Sequence, residues 1–178
     1  MVATVFTVRF CKKAGDIISG KIDIRSMNAE QLTQLVAEFN QPKFRALQLF
    51  KWLQSGVDSF DEMTNLPISF RELLGEKCYI ATVKALRKYE SKIDGTVKYV
   101  YELFDGELIE SVLMKYEHGY TVCISTQVGC RMGCKFCAST IGGKVRDLLP
   151  SELLGQIIAA EKDTGERVSN IVMMGIGE

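Results

Sequence analysis

Apolar residues along this chain change their period twice. From Ala29 to Phe39, Leu32, Leu35, Val36 and Phe39 recur at intervals of three and four, which predicts a helix with one apolar face. Asn28 precedes it and suits the cap position. Pro42 fits the first turn of a second helix, in which Phe44, Leu47, Phe50, Trp52 and Leu53 supply bulky apolar contacts until Gly56 provides a stop. Trp52 is expected in the core, with base stacking as the alternative. Phe60, Met63 and Leu66 form a short face before Pro67, and residues 68–74 predict a third helix. Residues 21–76 therefore read as a small helical accessory domain, too short for a deep pocket. Its role is packing or substrate docking, and Lys43, Arg45 and Lys51 permit phosphate contact, although exposed helices commonly carry such charges.

The period then shortens to two. Residues 96–104 and 107–114 alternate on either side of Asp105-Gly106, a dipeptide that supplies the positive backbone dihedrals of a tight hairpin. A strand over 84–91, turned at Asp94-Gly95, makes residues 77–116 a β-meander connector. Beyond it, residues 121–126 read as a short strand, 149–161 as an amphipathic helix and 168–175 as a buried strand. Parallel strands need such a crossover, so residues 117–178 predict the first β-α-β unit of an α/β barrel or open parallel sheet. Two strands complete neither. Residues 1–20 read equally as a strand or as a leader outside the fold.

Twenty-two Lys plus Arg balance 22 Asp plus Glu in 178 residues that are 47% hydrophobic. That is a globular composition, sized for one domain or two small ones, and its neutrality leaves any nucleic-acid argument to local patches. No apolar run approaches the roughly 20 residues of a membrane span, and no signal sequence is evident, so a cytoplasmic location is expected.

Cys11 and Cys78 stand apart, whereas Cys123, Cys130, Cys134 and Cys137 fall within 15 residues, a ligand-like distribution and not a disulfide framework. Cys130, Cys134 and Cys137 have the spacing C-x3-C-x2-C, which lets three thiolates on one loop reach the corners of a soft-metal site. Three ligands leave one iron of a [4Fe-4S] cluster open to the amino and carboxylate groups of S-adenosylmethionine. The competing reading is structural zinc, with His118 or Cys123 as fourth ligand.

The chain resembles the radical-SAM family of dual-specificity adenine C2 RNA methyltransferases. Cys123-Ile-Ser-Thr-Gln-Val-Gly-Cys130, Cys134-Lys-Phe-Cys137-Ala-Ser-Thr and Met174-Gly-Ile-Gly-Glu178 occur in family order, and residues 105–114 and 59–66 add to the likeness, which covers about residues 21–178. The resemblance implies an incomplete radical-SAM barrel. It also implies methyl transfer to carbon 2 of adenine in 23S ribosomal RNA, and in many members to adenine 37 of transfer RNA, through a methylated C-terminal cysteine. The sister activity at carbon 8 and a nonenzymatic zinc or RNA-binding module are the alternatives.

What the resemblance implies for single residues is more specific. Cys130, Cys134 and Cys137 correspond to the cluster ligands, and Gly177 and Glu178 to the segment contacting the amino-acid part of S-adenosylmethionine. Cys123 corresponds to the thiol that releases the protein–RNA adduct by pairing with the methyl-carrying cysteine; without the resemblance it is equally a buried strand residue. Glu110 corresponds to the proton acceptor; a lone hairpin Glu is otherwise a solvated one. Phe136 shapes the cluster or nucleoside environment, or simply packs. Arg131, Lys135, Lys144 and Arg146 occur without an acid between Cys130 and Arg146, and offer either a field for RNA phosphate and cluster reduction or an exposed basic loop. The family further implies an external electron donor such as a flavodoxin, and a monomer is expected. The methyl-carrying cysteine and later barrel strands are not among these 178 residues, so they are expected not to complete a methyl-transfer cycle on their own.

Overall fold

The computed structural model describes residues 20–178, so the expectation for the first 19 residues lies outside them. Strand β1 (Ile22–Asp23) leads to helices α1 (Ala29–Glu38), α2 (Phe44–Gln54) and α3 (Ile68–Lys77), after which β2 (Cys78–Tyr79) returns parallel to β1. Asn28 caps α1 as expected: its side chain accepts from the Gln31 N–H while the Gln31 side chain accepts from the Asn28 N–H. Leu32, Leu35, Val36, Leu49, Leu53, Met63, Leu66, Phe70 and Leu74 converge into one apolar core.

Two expectations for α2 change. Phe44 and Leu47 are more than half exposed, because the buried face of α2 is Ala46, Leu49 and Leu53. Trp52 is only half-buried against the core, and its indole N–H donates to Asn65 Oδ1 at 2.6 Å. Arg25 ties the loop after α2 to the segment leaving β2. Buried at 4% exposure, it donates to the carbonyls of Val57 and Ala81, and burial holds its guanidinium below its ordinary value.

A second core belongs to a mixed sheet that begins as a meander. Strands β3 (Lys84–Glu90), β4 (Val97–Glu102), β5 (Leu108–Tyr116) and β6 (Gly119–Cys123) run antiparallel in succession, with Gly106 at φ 81° in the turn between β4 and β5. Two short strands, β7 (Gln127–Gly129) and β8 (Lys144–Asp147), pair antiparallel beyond β6; helix α4 (Pro150–Thr164) then crosses over to β9 (Val168–Val172), parallel to β6. This is the expected β-α-β unit. The meander runs into it without a break, giving one five-stranded sheet in the order β3-β4-β5-β6-β9. Alternation divides the sheet: Val97, Tyr99, Tyr101, Ile109, Leu113 and Val122 pack toward α4, whereas Lys98, Val100, Glu110 and Val112 face the other way and are exposed or half-buried.

Among the described residues no helix is long and apolar enough to cross a membrane.

Candidate functional site

Cross-strand register places two of the singled-out residues together. Val112 on β5 lies opposite Cys123 on β6, and Glu110 is two residues from Val112, so Glu110 and Cys123 share the sheet face turned away from α4. Glu110 is ion-paired there with Lys98, at 2.8 Å, and both side chains are 45% exposed. Cys123 is a half-buried free thiol at the end of β6.

The chain leaving β6 is anchored on every side. Ser125, fully buried, exchanges hydrogen bonds with the side-chain amide of Gln156 on α4: its N–H donates to Oε1 at 2.9 Å and its carbonyl accepts from Nε2 at 3.0 Å. Its hydroxyl donates to the Glu110 carbonyl at 2.6 Å and accepts from the Ile176 N–H at 2.9 Å. Sequence reasoning did not single out Ser125 or Gln156; a glutamine on the apolar face of a predicted helix was the available signal.

Residues after β9 lie against this same exit. The N–H groups of Thr126 and Gln127 donate to the Ile176 carbonyl at 2.8 and 3.1 Å, and the Glu178 N–H donates to Gln127 Oε1 at 3.3 Å. Gly177, at φ 121°, approaches so closely that an added Cβ would stand 2.5 Å from Thr126 Oγ1. The Gly177-Glu178 segment and the root of the cysteine loop therefore meet at the carboxyl ends of the two parallel strands, the place where parallel sheets bind ligands.

Cys130, Cys134 and Cys137 are on the loop between β7 and β8. Cys130 is buried, Cys134 exposed and Cys137 half-buried, and all three are free thiols. The Cys137 N–H donates to the Cys134 carbonyl at 3.1 Å, and the Thr140 hydroxyl donates to the carbonyls of Cys137 and Cys134 at 2.9 and 3.3 Å. These bonds curl the Cys-x-x-Cys segment. Among the described residues no three Cys, His, Asp or Glu side chains are gathered as a single metal ion would require. His118, a possible fourth zinc ligand, sits in the β5–β6 turn stacked on Tyr116 at 5.2 Å, with β6 between it and the cysteine loop. Phe136 is 95% exposed, so it does not pack against the other described residues.

The acid-free count along the loop fails in space. Lys144 pairs with Asp147 at 2.7 Å, and Arg146 pairs with Asp105 and Glu152 at 2.7 Å each, because turns of the fold bring carboxylates from outside the loop. Asp147 is held below the usual carboxylate range by Lys144 first and by Gln127 next, and Arg146 is raised by Glu152 and Asp105 against the opposing effect of burial. The basic field is thus carried by Arg131 and Lys135, both exposed. Cys78 is a plain core residue, its thiol pushed up to about 12 by burial.

The family model described as the ribosomal RNA large subunit methyltransferase N-terminal domain matches residues 22–80. The chain is 55% identical over 157 residues to a protein of Lachnospira eligens named probable dual-specificity RNA methyltransferase RlmN, covering 88% of this chain and 45% of that one. A protein of the same name from Alkaliphilus oremlandii is 51% identical over 158 residues, covering 89% and 46%. The crystal structure of a radical SAM methyltransferase from Sphaerobacter thermophilus superposes with a TM-score of 0.79 at 35% identity, covering 88% of this chain and 47% of that one. The chain spans about half the length of the curated relatives it matches. Together these matches support an RlmN-family segment that begins with the family's N-terminal domain.

Proposed function

We propose that this chain supplies the cofactor-holding and adduct-releasing part of a radical S-adenosylmethionine RNA methyltransferase acting on carbon 2 of adenine, in 23S ribosomal RNA and at adenine 37 of transfer RNA. The observation that carries the reading is the juxtaposition of Cys123 and Glu110 on one uncovered sheet face, beside the strand ends from which the cysteine loop and the Gly177-Glu178 segment emerge.

The donor set fits an iron–sulfur cluster. Three free thiols on one loop are soft ligands, and the two cations on its return strand, Lys144 and Arg146, are already engaged by carboxylates. Cys130, Cys134 and Cys137 hold the cluster, and Glu178 with the close backbone of Gly177 holds the amino-acid part of S-adenosylmethionine. Bound together, these groups supply one-electron cleavage of the sulfonium, chemistry that no side chain provides. An external electron donor such as a flavodoxin supplies the electron.

The remaining work belongs to this chain's own groups. Glu110 takes the proton from carbon 2 of the base, after its carboxylate exchanges Lys98 for the substrate. Cys123 supplies the thiol that forms a disulfide with the methyl-carrying cysteine as that cysteine's sulfur–carbon bond breaks; the electron pair goes to the transferred carbon, which takes a proton and leaves on the base as a methyl group. Arg131, Lys135 and the exposed Phe136 line the RNA side of the loop, giving phosphate contact and a stacking surface.

Anaerobic reconstitution of a protein carrying this segment at its relatives' full length tests the ligand assignment. Iron and sulfide uptake that disappears in Cys130→Ala, Cys134→Ala and Cys137→Ala variants is expected. Stoichiometric zinc without sulfide would defeat the reading.

A further inference from the structure

The loop that carries the cysteines has two unequal arms. Strand β7 continues directly from the anchored exit of β6, whereas β8 returns from the loop with β7 as its only sheet neighbour among the described residues. Arg146 stands on this second arm. Its Nη1 and Nη2 fork donates to Glu152 Oε2 and Oε1 at 2.7 and 2.8 Å, its Nε donates to Asp105 Oδ2 at 2.7 Å, and its guanidinium lies 5.2 Å from the centroid of the Phe104 ring. Nη1 also reaches the Asp147 carbonyl at 3.2 Å.

These partners stand on other elements of the fold. Glu152 is 4% exposed in the first turn of α4, where its Oε2 also accepts the Leu149 N–H at 2.8 Å; Asp105 heads the β4–β5 turn. One residue before Glu152, the Ser151 N–H donates to Ser26 Oγ at 3.1 Å, and Ser26 donates to Asp23 at 2.6 Å, so the end of α4 that receives Arg146 is itself held by the helical unit. A two-point Arg–carboxylate fork with little exposure fixes direction as well as distance, which a lysine cannot do. Leu149 at the cap position offers no side-chain oxygen, so Ser26 and Glu152 do the capping.

We propose that Arg146 is the positioning residue of the cysteine loop: by locking β8 to α4 and to the Asp105 turn, it delivers the loop in the orientation its three thiols need to receive the cluster. The purpose of the clamp rests on the cluster reading under the proposed function, but the clamp itself is a property of the chain without any metal.

The experiment compares Arg146→Met, Arg146→Lys and Asp105→Asn in the complete protein that carries this segment. Hydrogen exchange of the metal-free protein reads the clamp, and iron and sulfide bound per chain after anaerobic reconstitution read its consequence. Arg146→Met is expected to speed exchange across residues 127–149 by about tenfold or more while α1 to α3 and β3 to β5 keep their protection, and to lower iron uptake. Arg146→Lys restores part of both, and Asp105→Asn, which leaves the Glu152 fork intact, has the smallest effect. Exchange in Arg146→Met within about twofold of the parent overturns the proposal. So does an equal loss of protection in every element, with Arg146→Lys no better than Arg146→Met, since that marks a general stability residue. A parent protein that takes up zinc and no sulfide defeats the cluster reading, while the exchange result still decides on the clamp.

Discussion

The side chain of Gln156 completes the backbone of Ser125: amide to amide, 31 residues apart, it gives one hydrogen bond at 3.0 Å and takes one at 2.9 Å. This occurs one residue past the point where β6 loses its partner strand on the β5 side, so a helix side chain does there what a sheet neighbour would do. The Ser125 hydroxyl is left free to join Glu110 on β5 to Ile176 after β9.

Gln156→Leu should therefore cost about 2–4 kcal/mol, because two buried backbone groups lose their partners without access to water. Denaturant unfolding measures it; a midpoint equal to that of the parent would show that Ser125 finds other partners.

Gly129→Ala attacks the stem of the cysteine loop instead. Gly129 has φ 67°, and an added Cβ would stand 1.9 Å from the Gly143 carbonyl oxygen. Neither the backbone conformation nor the space admits a side chain, so β7 and β8 must separate, at a cost of roughly 1–3 kcal/mol. Cluster uptake should fall more than stability does. Normal uptake in a stable Gly129→Ala protein would show that the stem does not position the thiols.

Much of this was legible in the sequence for physical reasons. Leu32, Leu35 and Val36 announce α1 because a one-sided helix must repeat at three and four, and Asp105-Gly106 announces the hairpin because few dipeptides accept its dihedrals. The β7–β8 pair was not legible: strands of three and four residues are too short to show alternation, and Lys144-Val-Arg-Asp147 reads as a charged loop. The pairing of Arg146 was hidden likewise, since Asp105 is 41 residues away along the chain. Phe44 and Leu47 misled because a helix bearing apolar residues on several sides does not say which side is covered.

Asp163 near the end of α4 predicts an acid limb. It accepts Lys88 Nζ and the Tyr99 hydroxyl, both at 2.6 Å, and Lys88 first and Tyr99 next hold its carboxyl below the ordinary value of 3.8. A depressed carboxyl stabilises the fold fully above its unfolded value and loses that contribution as pH falls through its folded one. Stability should thus decline below about pH 4, by about 1 kcal/mol or less from this group, because its side chain is 34% exposed. Asp163→Asn should flatten that part of the curve; an unchanged slope between about pH 4 and pH 2 would remove Asp163 from the account.

Cys123 and Cys78 are both free thiols, yet only Cys123 borders the uncovered sheet face. In a protein of the relatives' full length, Cys123→Ala should accumulate a covalent protein–RNA species, visible as a nuclease-sensitive shift on a denaturing gel. Cys78→Ala should turn over normally apart from a stability loss. Ordinary turnover by Cys123→Ala would contradict the release role.

The most direct test of the central reading is nucleoside mass spectrometry of ribosomal and transfer RNA treated with the full-length, anaerobically reconstituted protein, using positional standards. The account predicts 2-methyladenosine that depends on S-adenosylmethionine, on reductant and on Cys130, Cys134 and Cys137. Methylation exclusively at carbon 8, or no methylated adenosine from a protein with a full complement of iron and sulfide, would contradict it.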